Sequence, residues 1–429
     1  MSKYTFKLSN YHAIKDADIT LDGITVLSGE NGSGKSTISR WLYYLLKGVT
    51  EHEKYVEKDS EYAIRRILNK IRRTSTLSKG DDYFTFSRSM DFLPEIENIF
   101  DFEKDYFEIV NKYIKLLSNY FAETNSRNNL ARLASSYNIE VENDDKYPSV
   151  LNKIAELLHN EYENIVKNNI LQKNSRSLRT LTETISHFAN DGDRWPKDIG
   201  LSEDRVNLLT KKEFKTPLSI TKAIYFGTQG LMNSFDNEEG IYEFITNKYD
   251  DMPVSGRLIQ RRIQQIINGT ITFDKEDSTL FDRRELHYHR EDGLDIPLKE
   301  AATGLISFAV LGRLLEMGYL NPTTLLIVDE PEAHLHPQWI VEYARTIVQI
   351  NRRIGTKILI STHNPDMVSA IQSIARKENV LNTTNFYLAE KIADNDSHYI
   401  YKYLGNEIGE IFESFNIALS RIQIYGEQN

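Results

Sequence analysis

The apolar positions of this chain change their spacing several times, and each change marks an element. Tyr4-Thr5-Phe6-Lys7-Leu8 and Ala17-Asp18-Ile19-Thr20-Leu21 alternate apolar and polar residues, the period of a half-buried strand. Asp22-Gly23 turns the chain into the apolar run Ile24-Thr25-Val26-Leu27, and from Ile38 to Leu46 the apolar residues recur at helical spacing. From about 50 to about 255 the sequence is charged, Asn-rich and dominated by helical periodicity. Ile96, Ile99, Phe100, Tyr106, Phe107, Val110, Tyr113, Ile114, Leu117 and Phe121 fall on steps of three and four, which predicts one long amphipathic helix. Leu151, Ile154, Leu157, Leu158, Tyr162 and Ile165 form a second stripe after Pro148. No apolar heptad persists for three or four repeats, so these stripes predict a packed helical domain rather than an extended coiled coil.

Two short strands inside that region, Tyr83-Phe84-Thr85-Phe86 and Ala223-Ile224-Tyr225-Phe226, are candidates to rejoin the sheet. From about 258 the pattern shifts again: Ile263, Ile266 and Ile267 end a helix, and Gly269-Thr270-Ile271-Thr272-Phe273 reads as a strand. Leu286-His287-Tyr288-His289 pairs with Leu294-Asp295-Ile296-Pro297-Leu298 across Asp292-Gly293, a hairpin signal. A helix at 305–317, a strand at 324–328, a helix at 338–350 and a strand at 357–361 follow. This alternation predicts an α/β fold with a parallel sheet. Its halves at 1–50 and 258–429 are separated by a mainly helical insertion at 51–257.

Composition narrows the setting. The 429 residues are 40% hydrophobic and 11% aromatic, enough for two or three domains with real cores. The absence of cysteine excludes disulfides and thiolate metal sites. The first residues carry no apolar core of signal-peptide length, and the other apolar runs are too short or too charged to span a bilayer, so a soluble cytoplasmic protein with no membrane contact is expected. The net charge of −10 argues against wrapping nucleic acid with the whole surface. Arg65, Arg66, Lys70, Arg72, Arg73 and Lys79 form the densest basic cluster, at helical spacing and opposite Ile64, Leu68 and Ile71. It reads first as a solvated helix face and second as a DNA contact through the 65–79 region.

The chemistry begins at Gly29-Glu30-Asn31-Gly32-Ser33-Gly34-Lys35-Ser36-Thr37, which fits G-x-x-x-x-G-K-[ST] without a gap and sits between a strand and a helix as that motif requires. Glycines let the backbone turn with its N–H groups inward, and the helix adds the positive end of its dipole, so polyphosphate is held largely by main chain. Lys35 would reach the β- and γ-phosphates, and the Ser36 hydroxyl would ligate Mg²⁺. Thr324-Leu325-Leu326-Ile327-Val328-Asp329-Glu330 is an apolar strand ending in two acids. Asp329 is placed to hold Mg²⁺ through water, and Glu330 to accept a proton from, or orient, the water that attacks the γ-phosphate. Lys357-Ile358-Leu359-Ile360-Ser361-Thr362-His363 is a further strand with a polar end, and ligands of open parallel sheets lie beyond such ends, so His363 is expected to face the γ-phosphate.

With Asp329-Glu330-Pro331-Glu332-Ala333-His334-Leu335-His336-Pro337 added, these residues resemble the ABC-type ATPase heads of the SMC, RecF and OLD group, over about 1–48 and 258–375. The resemblance implies an ABC-type P-loop ATPase head, a mixed sheet with flanking helices, that uses ATP and Mg²⁺. It makes Gly29 to Ser36 Walker A, Asp329 and Glu330 Walker B, Ala333 to His336 the D-loop and His363 the switch histidine. Ala302-Thr303-Gly304 stands at the signature motif, where Thr303 and Gly304 would meet nucleotide and Leu305 replaces the usual second glycine. Gln229 is a weak match to the Q-loop. In such families two heads sandwich ATP, so a homodimer or higher oligomer is implied.

OLD nucleases add a C-terminal Toprim domain, and the 66 residues after His363 are too few for one, so Asp394-Asn395-Asp396 reads as a loop and an effector is expected on a separate chain. Arg284 and His289 share the spacing of an R-x₄-H ribonuclease motif, but on a strand rather than a helix. The pairs His287/His289 and His334/His336 have no third ligand nearby in sequence. Three functions stay open: a sensor ATPase of an anti-phage system resembling PARIS or Septu subunits, a RecF- or SMC-like repair ATPase that clamps DNA, and a nucleotide-gated scaffold.

Overall fold

The computed structural model describes residues 2–74, 102–142, 145–190, 192–227, 241–273, 286–333, 335–393 and 397–413. The sequence readings at Lys79, 83–86, 96–100, Gln229, Arg284, His334 and 394–396 lie outside these residues. Two compact units form, one of Met1–Glu51 with Ser177–Asn429 and the other of His52–Arg176.

The first unit opens with β1 (Tyr4–Tyr11), β2 (Ile14–Leu21), β3 (Ile24–Ser28) and α1 (Lys35–Thr50). The second unit holds α2 (His52–Thr74), α3 (Phe102–Thr124), α4 (Arg127–Ser136) and α5 (Tyr147–Asn174). The first unit resumes with α6 (Leu178–Ser186), β4 (Asp198–Glu203), β5 (Val206–Asn207), β6 (Lys222–Gly227), α7 (Ile241–Thr246) and α8 (Gly256–Ile267). It continues through β7 (Gly269–Phe273), β8 (Leu286–Arg290), β9 (Asp295–Pro297), α9 (Thr303–Glu316), β10 (Thr324–Asp329) and α10 (Pro337–Ile354). It closes with β11 (Lys357–Thr362), α11 (Pro365–Lys377), β12 (Thr384–Lys391) and β13 (Tyr399–Gly405).

Ten strands form one mixed sheet in the order β5-β4-β1-β2-β13-β12-β3-β11-β10-β6, and β7-β8-β9 form a small antiparallel one. The run β12-β3-β11-β10-β6 is parallel throughout. Its central strands are buried on both faces, which is why they read as mostly apolar stretches. Alternate residues serve opposite cores. Leu27, Leu325, Ile327 and Leu359 share a core with Ile38, Trp41, Leu42 and Leu45 of α1. Leu326, Val328, Ile358 and Ile360 join Phe308 and Leu311 of α9, Tyr343 and Ile347 of α10 and Val368 of α11. The expected mixed sheet with flanking helices, interrupted by a helical insertion, is the fold observed.

The insertion is shorter than the sequence pattern suggested. Only His52–Arg176 stands apart, whereas the rest of the region expected at 51–257 belongs to the sheet-bearing unit. This region supplies the strands at both ends of the large sheet, β5 and β4 at one and β6 at the other. β4 pairs with β1 in the register Thr5↔Ser202, and β6 with β10 in the register Leu326↔Ile224. Leu181 and Ile185 of α6 pack in the core beneath α1.

In the helical unit, Ile64, Ile67, Leu68 and Ile71 of α2 share one core with Tyr106, Val110 and Leu117 of α3, Leu130 of α4 and Ile154, Leu158 and Tyr162 of α5. It is a packed domain, as the broken heptads predicted. Arg66, Arg72 and Arg73 lie on the exposed face of α2, and the Lys70 ammonium sits 4.6 Å from the centre of the Tyr137 ring. Among the described residues no helix is long and apolar enough to cross a membrane.

Candidate nucleotide site at the strand ends

Between β3 and α1 the chain makes a six-residue loop, Gly29 to Gly34. Gly34 has φ +93°, and a Cβ there would meet Ile14 Cγ1 at 2.6 Å, so both conformation and space demand glycine. Gly29 is similarly placed, with φ +157° and a virtual Cβ 2.7 Å from Ala389 Cβ. Ser33 N donates to Glu30 O at 3.3 Å and Ile38 N to Gly34 O at 3.0 Å, which leaves the earliest N–H groups of α1 directed into the loop. The Lys35 side chain is 2% exposed, and its ammonium folds back to donate to Gly29 O at 2.9 Å and Glu30 O at 2.8 Å. Burial lowers the Lys35 pKa, and the Glu330 carboxylate, 3.9 Å away, opposes that shift.

The acids arrive from β10. Asp329 is buried and accepts from Tyr225 OH at 3.2 Å and from the Ser361 hydroxyl. Both donors are neutral hydroxyls, and the Asp329 charge also acts on the buried Lys35 ammonium. Burial, followed by the Asp329 charge, pushes the Tyr225 pKa far up, keeping that phenol a donor. Glu330 has φ +47°, a left-handed conformation that costs a non-glycine residue about 1–2 kcal/mol. Its N–H donates to Ser361 O at 2.9 Å. Its Oε1 lies 3.9 Å from Lys35 Nζ and 3.4 Å from His363 Nδ1. Strand ends distant in sequence thereby meet over one loop.

Lys35, Asp329, Glu330 and His363 are thus brought together. Glu30 and Asn31 are exposed on the loop, Ser33 is buried within it, and Ser36 and Thr37 are half-buried in the first turn of α1. Thr303 and Gly304 open α9 and, among the described residues, make no hydrogen bond or ion pair with this group. His336 caps α10, its Nδ1 accepting from Gln338 N at 3.4 Å. His287 and His289 lie on β8, as its strand-like alternation predicted, and both Nδ1 atoms face Asp295, at 2.8 and 3.2 Å. Among the described residues no group of three or more His, Cys, Asp or Glu is arranged to hold a metal ion.

Several contacts escaped the sequence. Tyr401 OH donates to Ser33 O at 3.3 Å, Tyr399 OH to Glu30 Oε2 at 3.5 Å, and Lys391 pairs with Glu30 at 3.1 Å, so β12 and β13 buttress the loop. The alternation Tyr399-Ile400-Tyr401 was their only local signal. Glu332 is buried beside His363, with Oε1 accepting from Thr362 Oγ1 at 2.5 Å and from His363 N at 3.0 Å.

A family profile described as an AAA ATPase domain, AAA_15, matches residues 4–368. The chain belongs to this family of ATPases. The match runs through the helical unit, so the family covers more than the two stretches, about 1–48 and 258–375, on which the sequence resemblance rested. Among relatives, the "Retron Vc95 probable ATPase" of Vibrio cholerae serotype O1 biovar El Tor is 26% identical over 379 residues, 81% of this chain and 67% of that protein. The "Old nuclease" of Escherichia phage P2 is 28% identical over 105 residues, 24% of this chain and 17% of that protein. Among solved structures, the Smc head domain with an extended coiled coil bound to the C-terminal domain of ScpA, derived from Pyrococcus furiosus, aligns with a TM-score of 0.36 and 10% identity, covering 99% of this chain and all of that one.

Proposed function

We propose that this member of the AAA_15 ATPases binds Mg²⁺-ATP at the 29–37 loop, hydrolyses it through Glu330, and serves as the sensor or regulatory subunit of an anti-phage defence system that controls a separate effector, a nuclease or toxin. The observation that carries the chemistry is Glu330 Oε1, which lies 3.9 Å from the loop lysine and 3.4 Å from His363. The defence setting is supported by the retron ATPase, matched over 81% of this chain.

In this reading the N–H groups of Gly29 to Thr37 surround the β- and γ-phosphates, and Lys35 exchanges the carbonyls of Gly29 and Glu30 for phosphate oxygens. The Ser36 hydroxyl and Asp329 provide the hard oxygen donors that suit Mg²⁺, Asp329 through water. A Mg²⁺ ion bound there would neutralise charge on the β- and γ-oxygens. Glu330 takes the proton of the attacking water or orients it, and the exposed edge of His363 faces the γ-phosphate. Thr303 and Gly304 at the start of α9 serve the loop of a second copy, so ATP closes a homodimer or larger assembly.

The test is the solution mass of the purified Glu330→Gln variant with and without Mg²⁺-ATP, together with the protein encoded by the adjacent gene. Growth to a dimer or larger assembly that holds that protein supports the reading. A monomer indifferent to nucleotide, with no partner bound, overturns the gated-sensor account.

A further inference from the structure

Glu332 is the most deeply buried acid near the loop, with 2% of its side chain exposed. Its Oε1 accepts from Thr362 Oγ1 and His363 N and stands 3.5 Å from His363 Nδ1. Its Oε2 is buried with no hydrogen-bond partner among the described residues. Burial raises the pKa of this carboxyl, and the Thr362 hydroxyl offsets the shift only in part. A buried carboxylate with one oxygen unsatisfied costs free energy that an apolar side chain in the same space would not. Both groups that do bond it lie on the turn bearing His363, so that cost is spent ordering this turn.

Two carboxylates stand at His363 Nδ1: Glu330, 28% exposed, and Glu332, which is buried and held by two hydrogen bonds from the Thr362–His363 turn. The His363 side chain itself is 37% exposed and needs an anchor to keep one ring edge outward.

We propose that Glu332 is a positioning residue for the ATPase reaction, holding the Thr362–His363 turn and drawing the Nδ1 edge of His363 inward so that the Nε2 edge faces the nucleotide. The inference rests on the reading of His363 given above. Glutamine at 332 keeps an oxygen for Thr362 and His363 N, removes the charge facing Nδ1 and puts an amide NH2 where Oε2 has no partner among the described residues, so it is compared in the presence and absence of His363.

The experiment measures steady-state ATP turnover and the Kd of a fluorescent ATP analogue for wild type, Glu330→Gln, Glu332→Gln, His363→Ala and the Glu332→Gln/His363→Ala double variant. Glu332→Gln is expected to lower kcat by about 10–100-fold, the range for removing a partner that orients a reacting side chain, with Kd within about twofold. In the His363→Ala background the same change is expected to add less than about twofold, because residues that act as a unit are non-additive. Equal losses in both backgrounds, or turnover of Glu332→Gln within about twofold of wild type, overturn the inference alone. A wild type without turnover, or a Glu330→Gln variant that retains it, overturns the underlying reading and the inference with it. If Glu332→Gln does not fold, Thr362→Val replaces it: a lower kcat with unchanged Kd supports the inference, and unchanged kcat overturns it.

Discussion

Oε1 of Glu330 lies 3.4 Å from Nδ1 of His363, and this contact joins the ends of β10 and β11 across the mouth of the 29–37 loop. Glu330 makes it from a left-handed backbone, φ +47°. Glu330→Gly removes that strain together with the carboxylate that faces Lys35 and His363. It is expected to raise stability by about 1 kcal/mol in denaturant titration while ATP turnover is lost.

Gly34 bears a second constraint. Gly34→Ala forces a Cβ to within 2.6 Å of Ile14 Cγ1 at φ +93°. A loss of about 1–3 kcal/mol is expected, together with loss of ATP-analogue binding, measured by denaturant titration and fluorescence anisotropy.

Lys35 is the cation of the loop, buried and bonded to two carbonyls. Lys35→Met removes a charge-assisted contact to phosphate worth about 1.5–3 kcal/mol, so the Kd for ATP is expected to rise about 10–100-fold in calorimetry.

Glu332 gives the apo protein a pH signature. Its carboxyl pKa is raised above 4.5, so between 4.5 and the raised value the folded chain binds more protons than the unfolded one, and stability falls as pH climbs through that window. Above that window the burial cost of the charge is fully present. Glu332→Gln is therefore expected to gain stability relative to wild type as pH rises from 4.5 through the window, as read from denaturation midpoints across a pH series.

The sequence displays the parallel core of this fold because β3, β10 and β11 are buried on both faces and are mostly apolar, with Thr25 the one polar residue inside the β3 run Ile24–Leu27. Each ends in residues whose chemistry is local: glycines and Lys35 after β3, Asp329 and Glu330 at the end of β10, and His363 after β11. What was illegible depended on distant partners. β4 is six residues long, and its place beside β1 follows from a pairing such as Phe6↔Leu201 that no window of sequence contains. The assignment of 177–257 to the wrong side of the domain boundary has that origin. Glu332 was visible as a residue, but its importance arises from Thr362 and His363, which only the fold places beside it. Tyr401 likewise acts on Ser33 from the far end of the chain.

The most direct measurement of the central claim is phosphate release from ATP by the purified wild-type chain and by Glu330→Gln, paired with ATP-analogue binding to each. The account predicts turnover by the wild type, a loss of about 10²–10⁴-fold in the variant, as expected for removing a positioned general base, and equal binding by both. Turnover undiminished in Glu330→Gln, or no ATP binding by the wild type, would contradict it.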